Sequence, residues 1–533
     1  MAILHKNITA AADIHNPKWF SGANNGDYAF KNEKGELEST DELLLPASLN
    51  FVDGSVAPPT TNSGDIYILS SGGSVNAGWG GVSLQDWVRY DGTAWNSITP
   101  QKGSMCYDKT ADALKVFDGA SWAGLGSSFG KFGIADSSGA YTYYDDFQTA
   151  LNAASSGDTV EMFTNVTVSS TSTLTLIDGV NINMNGYKYE NTESTNINMV
   201  TLPNSATVTI YNGYFKRNGG SAGAITNVTL DASPSTNSNL YLRGVTFENT
   251  ISTCLLANGP LIEGGTFISD GAIYGSYTSG SGTRLINVTF ISTSSGHVGI
   301  NNSTLINCTS YANSGMAFYV GASTLMNCVG ESISHVGLRA STGNNILTNC
   351  TGASASNFGM RLGGDSSTVF TKAKGCNGFS STNYGMYIEG FSEIRNCTAH
   401  SGTLSGGFIK ASIVGVTHNK PRVYLSTFSS EGASGANADA SVQLFDCDFI
   451  SQYDNANGHG LTTSNVTGSS DPTILSGCTF QVENASANGF KNTIAGYETK
   501  LAACKFHGMT TSINDVNSNQ MSNTPDTYNN ILI

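Results

Sequence analysis

LINCTS at 305–310, LMNCVG at 325–330 and ILTNCTG at 346–352 are successive copies of one short phrase in the second half of the chain. Each copy has apolar residues, a small or polar residue, Cys, and then Thr or another small residue. Most steps between these cysteines are 20 to 26 residues, a period typical of arrays whose units bury their apolar sides against neighbours. The phrase therefore predicts a solenoid. It continues, with Ser426 in one Cys place, as AKGCNG at 373–378, IRNCTA at 394–399, YLSTF at 424–428, LFDCDF at 444–449, LSGCTF at 475–480 and LAACKF at 501–506.

The kind of solenoid follows from the residues that fill each period. They are short runs of Val, Ile, Thr, Phe and Tyr broken by Gly, Asn and Ser, without the amphipathic stretches of helical repeats. A second phrase, Gly and then a large apolar residue, follows the Cys by 7 to 10 residues, so two strands keep a nearly fixed phase. The predicted fold class is all-β, a single-stranded right-handed parallel β-helix with one coil per period. The second phrase begins at Gly315, Gly337, Gly359, Gly385 and Gly407.

An interior column explains the cysteines without redox chemistry. Side chains at one coil position stack in parallel, whereas a disulfide needs Cβ atoms that face each other at about 3.8 Å. Cys is also a small, soft residue that is commonly buried. We therefore expect free thiols. Some disulfides or a metal site are the open alternatives, although single-Cys spacing without a CxxC or His-x₃-His pair argues against both.

Charge and composition limit the function classes. The 533 residues carry a formal net charge of −15, from 25 Lys and Arg against 40 Asp and Glu, so nucleic-acid binding is not expected. The first twenty residues, MAILHKNITAAADIHNPKWF, lack the apolar core of a secretory signal, and no later stretch suggests a membrane span. We expect synthesis in a cytoplasm and no membrane insertion. His297 and His335 are expected to pack in turns, so no metal and no cofactor are predicted.

All five Trp lie within the first 122 residues, which separates this part of the chain from the Trp-free repeats. YDGTAW at 90–95 and FDGASW at 117–122 place Asp-Gly, a strong hairpin signal, between β-rich runs. We expect two small hairpins with each Trp in a mini-core; stacking on a sugar is the alternative. The predicted organisation is an N-terminal arm at 1–60, a Trp/DG β-hairpin module at 61–125, a hinge and capping helix at 126–160, the parallel β-helix at 161–510, and a C-terminal cap or tail at 511–533.

The segment YDDFQTALNAASSGDTV at 144–160 predicts a short helix that caps the solenoid. Asp145 or Asp146 is the expected N-cap, and Gly157 marks the expected stop. An open first coil would expose apolar side chains and unpaired strand edges, so a cap is needed at this point. The residues expected on the buried face are Phe147, Ala150, Leu151 and Ala154.

The same segment resembles a known superfamily. Its residues Tyr144-Asp145, Ala150-Leu151, Ala153-Ala154 and Gly157-Asp158-Thr159-Val160, followed by Gly179-Val180-Asn181-Ile182 and Asn185-Gly186, are similar to the start of pectin-lyase-like β-helices. That superfamily includes polysaccharide lyases, polygalacturonases and the trimeric tailspikes of bacteriophages. GDIYIL at 64–69 and the two Asp-Gly hairpins resemble virion-proximal modules of phage fibre proteins. The resemblance implies the fold but says little about a reaction, because many chemistries and pure binders share it.

A bacteriophage tail fibre or tailspike is thus what the chain resembles. The resemblance implies a structural virion protein, located in the virion as a tail or head fibre, and a homotrimer. It also implies attachment to a phage tail or capsid protein through the N-terminal arm and binding of a host surface polysaccharide by the β-helix. The alternative is a tailspike depolymerase, a glycoside hydrolase or lyase that cuts this polysaccharide.

Ligand-binding residues are predicted in the outward column that follows each Gly-apolar pair. Arg339, Arg361 and Tyr387 belong to it, and Glu389 continues the same face. Two Arg on successive coils repel each other unless an anion or acid lies between them. Arg forks beside a ring and a carboxylate suit an acidic glycan. The alternative is that Glu389 or a neighbouring subunit pairs these arginines at a trimer interface. The full predicted column is Ala317, Arg339, Arg361, Tyr387 and Ile409.

No catalytic residue is predicted. Glycoside hydrolysis needs two carboxylates about 5 to 9.5 Å apart, one of them protonated. Glu389 and Glu393 straddle a turn, and Asp446 and Asp448 flank an inward Cys, so these acids are expected to face solvent, as is Asp365.

Overall fold

The computed structural model divides the chain into two compact units, residues 1–130 and 131–533. Strands make up almost all of the regular structure in both. The structure describes residues 28–31, 37–40, 50–59, 66–70, 74–100, 104–108, 113–117, 121–124, 130–137, 141–221, 227–233, 237–270, 274–278, 282–294, 297–364, 369–410, 412–414, 417–438, 442–455, 457–463, 473–484, 486–493, 499–508, 511–515 and 531–532.

The unit of residues 1–130 contains small, mostly antiparallel sheets with two aromatic cores. The rings of Trp87 and Trp122 stack with centroids 5.7 Å apart, and Trp79 lies 4.6 Å from Trp95. These contacts agree with the expected role of the Trp side chains as mini-core residues. The strands are Tyr28–Lys31, Leu37–Thr40, Asn50–Asp53, Ile66–Ser70, Trp87–Tyr90, Trp95–Ile98, Met105–Asp108, Ala113–Phe117 and Trp122–Gly124, with a 3₁₀ turn at Ala77–Trp79.

Both predicted Trp hairpins are present in this unit. The strand at Trp87–Tyr90 pairs antiparallel with Trp95–Ile98, and Ala113–Phe117 pairs in the same way with Trp122–Gly124. In the first hairpin the Asp91 carboxylate accepts hydrogen bonds from the backbone N–H groups of Thr93 and Ala94, both at 2.8 Å. These bonds fix the turn and lower the pKa of Asp91.

The predicted capping helix is α1 (Phe147–Ala153), which packs on the first coil. Asp146 is its N-cap and accepts a hydrogen bond from the Thr149 backbone N–H at 2.7 Å. The expected stop at Gly157 is wrong, because the extended backbone of Ala154 already ends the helix. Within the described residues, no helix has the length and hydrophobicity needed to span a membrane.

Part of the segment predicted as a hinge forms sheet instead. The strand at Phe132–Ala135 pairs antiparallel with Tyr141–Tyr144 and also with Thr159–Met162, the first strand of the solenoid. Phe132 is buried against Phe147 of α1, with the two rings stacked at 4.4 Å. This hairpin and α1 together cover the apolar end and the strand edge of the first coil.

The solenoid consists of parallel strands in three stacks, and the predicted all-β fold class is confirmed. Each coil adds one strand to each stack in turn, in register with the coil before. Two long strands, Thr207–Arg217 and Asn239–Asn249, run through both the first and the second stack. The other strands of the first stack are Thr159–Met162, Asn181–Asn183, Leu261–Glu263, Arg284–Ile286, Thr304–Ile306, Thr324–Met326, Asn345–Thr348, Phe370–Lys374, Phe391–Arg395, Arg422–Tyr424, Gln443–Phe445, Thr473–Ser476 and Thr499–Ala502.

The second stack carries the strand that follows each repeat Cys. Its strands are Val166–Val168, Lys188–Asn191, Thr266–Ser269, Thr289–Ser292, Thr309–Ala312, Val329–Ser332, Thr351–Ser354, Asn377–Ser380, Thr398–Ser401, Thr427–Ser430, Asp448–Ser451, Thr479–Val482, Lys505–His507 and Ile531–Leu532, besides the two long strands.

The third stack, which carries the Gly-apolar phrase, is a 15-stranded sheet in the described chain. A short antiparallel hairpin, Ser412–Val414 with Thr417–Asn419, lies in the connection that follows the strand Gly407–Lys410. The strands of the stack are Leu174–Thr175, Val200–Thr201, Leu230–Ala232, Leu255–Ala257, Tyr274–Thr278, His297–Asn301, Phe318–Gly321, Leu338–Thr342, Met360–Leu362, Met386–Glu389, Gly407–Lys410, Ala436–Ala438, Leu461–Thr463, Asn488–Asn492 and Thr511–Asp515.

The solenoid extends into the segment expected to be a C-terminal cap or tail. Thr511–Asp515 pairs with Asn488–Asn492 in the third stack, and Ile531–Leu532 pairs with Lys505–His507 in the second. Parallel pairing therefore continues past residue 510, where the predicted β-helix ended.

A residue in the left-handed backbone region precedes each repeat Cys and turns the chain from the first stack to the second. The φ angle is +54° at Asn307, +53° at Asn327 and +54° at Asn349, a region that Asn tolerates better than most residues. The Asn327 side-chain amide donates to Asn307 Oδ1 at 3.1 Å, and that of Asn349 donates to Asn327 Oδ1 at 3.3 Å. The polar residue ahead of the Cys is therefore part of a ladder that fixes the corner.

The repeat cysteines form the predicted interior column. All ten cysteines of the chain are free and buried. The Cys376 backbone N–H donates to Cys397 Sγ at 3.3 Å, so neighbouring coils touch through this column. Hydrogen bonds to the preceding thiol, together with burial, raise the pKa values of Cys328, Cys350 and Cys376 to about 12. The thiols are thus packing groups.

The inward column of the second stack changes size along the solenoid. Its members are Phe215, Phe247, Phe267 and Phe290, then Ser310, Gly330, Gly352, Gly378 and Ala399, then Phe428, Phe449, Phe480 and Phe506. We call the middle group the small-residue coils and the last group the phenylalanine coils. Large side chains of the third stack, Phe318, Leu338, Met360 and Met386, fill the small-residue coils, as close packing of the interior requires.

Candidate functional site

An open groove of about 1120 Å³ runs along the outer face of the second stack. At about 4.8 Å per coil, the five steps of its lining column span about 24 Å. Tyr311 and Phe379 in this column are 44% and 41% exposed, and Ile333 at the edge is 61% exposed. Clustered exposed apolar side chains mark binding surfaces. The column consists of Ile291, Tyr311, Glu331, Ala353, Phe379 and His400.

The groove lies over the small-residue coils, where the second stack packs directly on glycine backbone of the third. A Cβ atom at Gly359 would clash with the backbone N and O of Phe379. One at Gly385 would clash in the same way with the backbone of His400. Gly359 and Gly385 thus let two strands of the groove sit close to the third stack.

Buried serines fix the corner that forms one edge of the groove. Ser354 Oγ donates to the His335 carbonyl at 2.6 Å and accepts from the Asn357 backbone N–H at 2.9 Å. Ser380 repeats the pattern one coil later, donating to the Asn357 carbonyl at 2.6 Å. Each serine therefore ties its own turn to the turn of the preceding coil. The edge residues Ile333, Ala355 and Ser381 directly follow Ser332, Ser354 and Ser380, and their backbone N–H groups donate to carbonyls of the preceding coil.

The ionisable side chains of the groove, besides Tyr311, are two carboxylates and an imidazole. Glu331 lies exposed between the coils of Tyr311 and Ala353. His400 Nδ1 is 2.9 Å from Ser429 Oγ, and its Nε2 is 3.5 Å from a Glu431 carboxylate oxygen. The groove therefore combines aromatic rings for stacking with groups that accept or donate hydrogen bonds.

The predicted ligand residues lie together on a different face, the third stack. Arg339 pairs in register with Arg361, and Arg361 with Tyr387. The Arg339 guanidinium lies 5.2 Å from the Tyr319 ring centroid, and Arg361 lies 5.2 Å from that of Tyr387. Burial and the adjacent Arg361 lower the pKa of Arg339. Each guanidinium thus lies against one ring, and the two rings flank the pair of arginines.

Glu389 is not a solvated turn acid as expected, because its side chain is only 1% exposed. One carboxylate oxygen accepts from Arg361 at 2.9 Å and the other from Lys410 at 3.0 Å. A buried carboxylate of this kind persists because both oxygens have charged partners. The contact favours the alternative in which Glu389 pairs an arginine of the column.

The two ends of the predicted outward column are wrong. Ala317 and Ile409 are fully buried, and the outward positions are taken by Tyr319 and Phe408. The first strand lies two residues further from its Gly than expected, and in the last coil Gly407 itself holds the inward position. Ala317 precedes its strand, and in the last coil a shift of one residue moves Ile409 to the inward face because side chains alternate along a strand.

The other acids and histidines considered from the sequence are scattered. Glu393 lies on the first stack, half-buried beside Arg395, while Asp446 and Asp448 are exposed around the buried Cys447, as expected. Asp365 lies outside the described residues.

The two histidines considered as turn residues both lie at the start of third-stack strands or just before them. The His297 ring packs edge-on against Tyr319 at 5.5 Å, and His335 Nδ1 accepts from the Val336 backbone N–H at 2.8 Å. Burial lowers the pKa of both. Among the described residues, no three His, Cys, Asp or Glu side chains form a group able to hold a metal.

The groove was not predicted from the sequence, although the repeat Cys marks the positions of its lining residues. Each residue of the lining column from Tyr311 to His400 stands three positions after a repeat Cys. Reading outward from the Cys phrase, rather than from the Gly-apolar phrase, brings Tyr311, Glu331 and Phe379 into one column.

Comparison with known proteins gives a family match for the first unit and solved structures for the second. A family described as "Protein of unknown function (DUF2793)" matches residues 43–123. No curated protein matches the chain significantly.

Two solved structures represent the structural matches. The A-module of mannuronan C-5 epimerase AlgE6 from Azotobacter vinelandii is 14% identical, with a TM-score of 0.38, over 72% of this chain and 94% of that chain. The tailspike protein of E. coli bacteriophage HK620, in complex with pentasaccharide, is 13% identical, with a TM-score of 0.36, over 72% of this chain and 77% of that chain. At these values the similarity carries no argument about this chain, so its fold rests on its own strand pairing and its function on the geometry of the groove.

Proposed function

We propose that this protein is a structural virion protein of the tail fibre or spike type whose solenoid binds a host surface glycan in the second-stack groove. The groove is the observation that supports the proposal. Ligand sites combine a concave, largely apolar surface with a few polar groups that orient the ligand. Tyr311 and Phe379 provide ring faces for sugar rings, and Glu331 and His400 provide hydrogen-bonding partners for hydroxyl or amide groups. A length of about 24 Å suits an extended oligosaccharide.

Binding without cleavage fits the positions of the carboxylates. Glu331 and Glu431 both line the groove but are four coils apart, about 19 Å at the ordinary strand spacing. Glycoside hydrolysis uses a pair about 5 to 9.5 Å apart. The depolymerase alternative would therefore need acids other than this pair.

The association of the chain is part of the same proposal. We take residues 1–60 as the arm that attaches to a phage tail or capsid protein, and the assembled protein as a homotrimer in the virion. GDIYIL at 64–69 and the Asp-Gly hairpins support this through their resemblance to phage fibre modules. Light scattering should give a mass three times the 55.7 kDa of one chain. A monomer would contradict the trimer without touching the groove.

A ligand role for Arg339, Arg361, Tyr387 and Glu389 is a separate proposal. Arg361 and Glu389 already satisfy each other, so a glycan would gain less there than in the groove. Arg339→Ala should therefore change glycan affinity less than a groove substitution does.

The test of the groove compares aromatic substitutions on two faces. A glycan array first identifies a bacterial polysaccharide that the protein binds. Tyr311→Ala and Phe379→Ala should each lower the affinity for this polysaccharide by about tenfold or more, as loss of a central ring does. Tyr211→Ala is the matched control, since Tyr211 is a similarly exposed ring on the first stack. Unchanged affinity in both groove variants would reject the site.

The same preparations decide between binding and cutting. Incubation with the bound polysaccharide should release no reducing ends. Steady release of reducing ends would establish the depolymerase instead.

A further inference from the structure

A compact cluster of cations lies on the outer face of the first stack, away from the groove. Three successive strands, FTKAK, FSEIR and RVY, carry Lys372, Lys374, Arg395 and Arg422 but only one acid, Glu393. Four positive charges against one negative leave a net +3, on a chain whose formal net charge is −15. All four cations are exposed. We call these five residues the basic patch.

The cations of the basic patch are close together because their strands pair in register. Lys372 lies opposite Glu393, which lies opposite Arg422, and Lys374 lies opposite Arg395. Coil spacing of about 4.8 Å puts like charges near one another at an energetic cost that an anion would offset. The patch is thus an arrangement that favours a negatively charged ligand.

Glu393 neutralises only part of this charge. One of its oxygens accepts from Arg395 Nε at 2.7 Å and lies 3.8 Å from Lys372 Nζ. The hydrogen bond from Arg395 and the charges of Lys372 and Arg422 lower the pKa of Glu393. Lys374 and Arg422 have no carboxylate within 4.0 Å among the described residues.

An aromatic ledge adjoins the cations. The Arg395 guanidinium lies 4.1 Å from the Tyr424 ring centroid, and Phe445 stacks on Tyr424 at 5.1 Å with an interplanar angle of 14°. The stacked rings continue the column of Lys374 and Arg395 into the next two coils. The patch ends there, where the exposed Asp446 follows Phe445.

We infer that the basic patch and its aromatic ledge form a second glycan site, selective for sugars that carry carboxylates. Arg and Lys bind a carboxylate by charge-assisted hydrogen bonds, and the adjacent rings accept the apolar face of a sugar. The groove differs in charge, because it carries Glu331 and Glu431. An acidic polysaccharide should therefore bind to the basic patch of the first stack rather than to the groove. The inference stands independently of the proposed function of the groove.

The test uses oligogalacturonate, a polymer of carboxylated sugars, with a neutral glucose oligomer as its comparison. The wild-type chain should bind only oligogalacturonate, and high salt should weaken the binding because the cations are exposed. Lys374→Glu with Arg422→Glu should lower affinity at least tenfold. Tyr211→Ala, which removes an exposed ring of the same stack outside the patch, should leave it unchanged.

Arg284→Glu is the matched control, an exposed cation of the same stack outside the cluster. If Arg284→Glu lowered the affinity as much as the double variant does, the effect would come from the net charge of the chain, and the site would be overturned. Absence of oligogalacturonate binding by the wild type would also overturn the site. A change of oligomeric state in the double variant would overturn it too, since the face would then contact a second copy.

A measurement on the wild-type chain keeps the test valid if the double variant fails to fold. Carbodiimide coupling joins a bound carboxylate to a nearby amine as an amide. Attachment of oligogalacturonate at Lys372 or Lys374, mapped by mass spectrometry, supports the site. Attachment only at lysines of other stacks contradicts it.

Discussion

The small-residue coils and the phenylalanine coils have the same corners and the same three stacks but differ in the inward side chains of the second stack. In the first, Gly330, Gly352 and Gly378 face the large side chains of the third stack, and the groove lies outside them. In the second, Phe428, Phe449 and Phe480 fill the interior from the second stack, and the third stack adds Ala436, Leu461 and Phe490. The comparison teaches that the same corners and stacks accommodate either small or large inward side chains in the second stack.

The largest effect should come from emptying the phenylalanine coils. Phe449 is fully buried between Phe428 at 5.5 Å and Phe480 at 5.4 Å. Phe449→Ala should lower the free energy of unfolding by about 3 to 5 kcal/mol, because it leaves a cavity. Urea denaturation measures this. Phe379→Ala, the exposed ring of the groove, should cost less than about 0.5 kcal/mol; an equal loss would contradict the contrast between the two rings.

A smaller effect should come from adding one methyl group to the small-residue coils. Gly359→Ala places a Cβ against the backbone of Phe379, so it should cost about 1 to 3 kcal/mol and also weaken glycan binding in the groove. Urea denaturation and a binding titration measure the two losses.

Ala317 provides the control for this substitution. It holds the equivalent place in an earlier coil, since Phe318 pairs with Leu338 and Leu338 with Met360. Ala317→Gly should cost about 1 kcal/mol at most and leave affinity unchanged. If Gly359→Ala were harmless to both stability and binding, the close approach at Gly359 would not shape this part of the groove.

Acid should weaken the phenylalanine coils through His459. Burial, with a contribution from Lys491, lowers the pKa of His459 to about 4, and Nδ1 accepts from the Asn488 backbone N–H at 3.1 Å. Since the unfolded chain takes up the proton near the ordinary value of about 6.5, stability is complete above that pH and falls towards about pH 4.

The urea midpoint at pH 7.5 and pH 5 measures this dependence. His459→Gln should make the decrease shallower than in the wild type. His335→Gln, in the small-residue coils, gives the comparison for a less buried imidazole. Identical pH profiles for His459→Gln and the wild type would exclude the assignment.

The smallest effect concerns the Cys column that both groups of coils share. Because all ten cysteines are buried, and pKa values of about 12 keep Cys328 and Cys350 protonated, the native chain should not react with a thiol reagent at pH 8. Ten thiols should react after unfolding in denaturant. Fewer than ten would reveal disulfides, and rapid reaction of the native chain would contradict the buried column.

The fold could be predicted from the sequence because its signals are local and repeated. The Cys phrase marks one corner of every coil, and Asp146 with the apolar face behind it marks the cap. The site could be predicted only in part. Arg339, Arg361 and Tyr387 do share an outward column, but the burial of Glu389 depends on Lys410 from the next coil.

The sequence by itself determined the coil register, the interior position of the cysteines and the helical cap, because each depends on alternation, spacing and turn chemistry within one period. Only the tertiary structure decided which face is recessed. The groove is lined by residues of successive coils, a juxtaposition that no single period records. The same holds for the basic patch, whose four cations are ordinary surface residues in sequence and become a cluster when their strands stack.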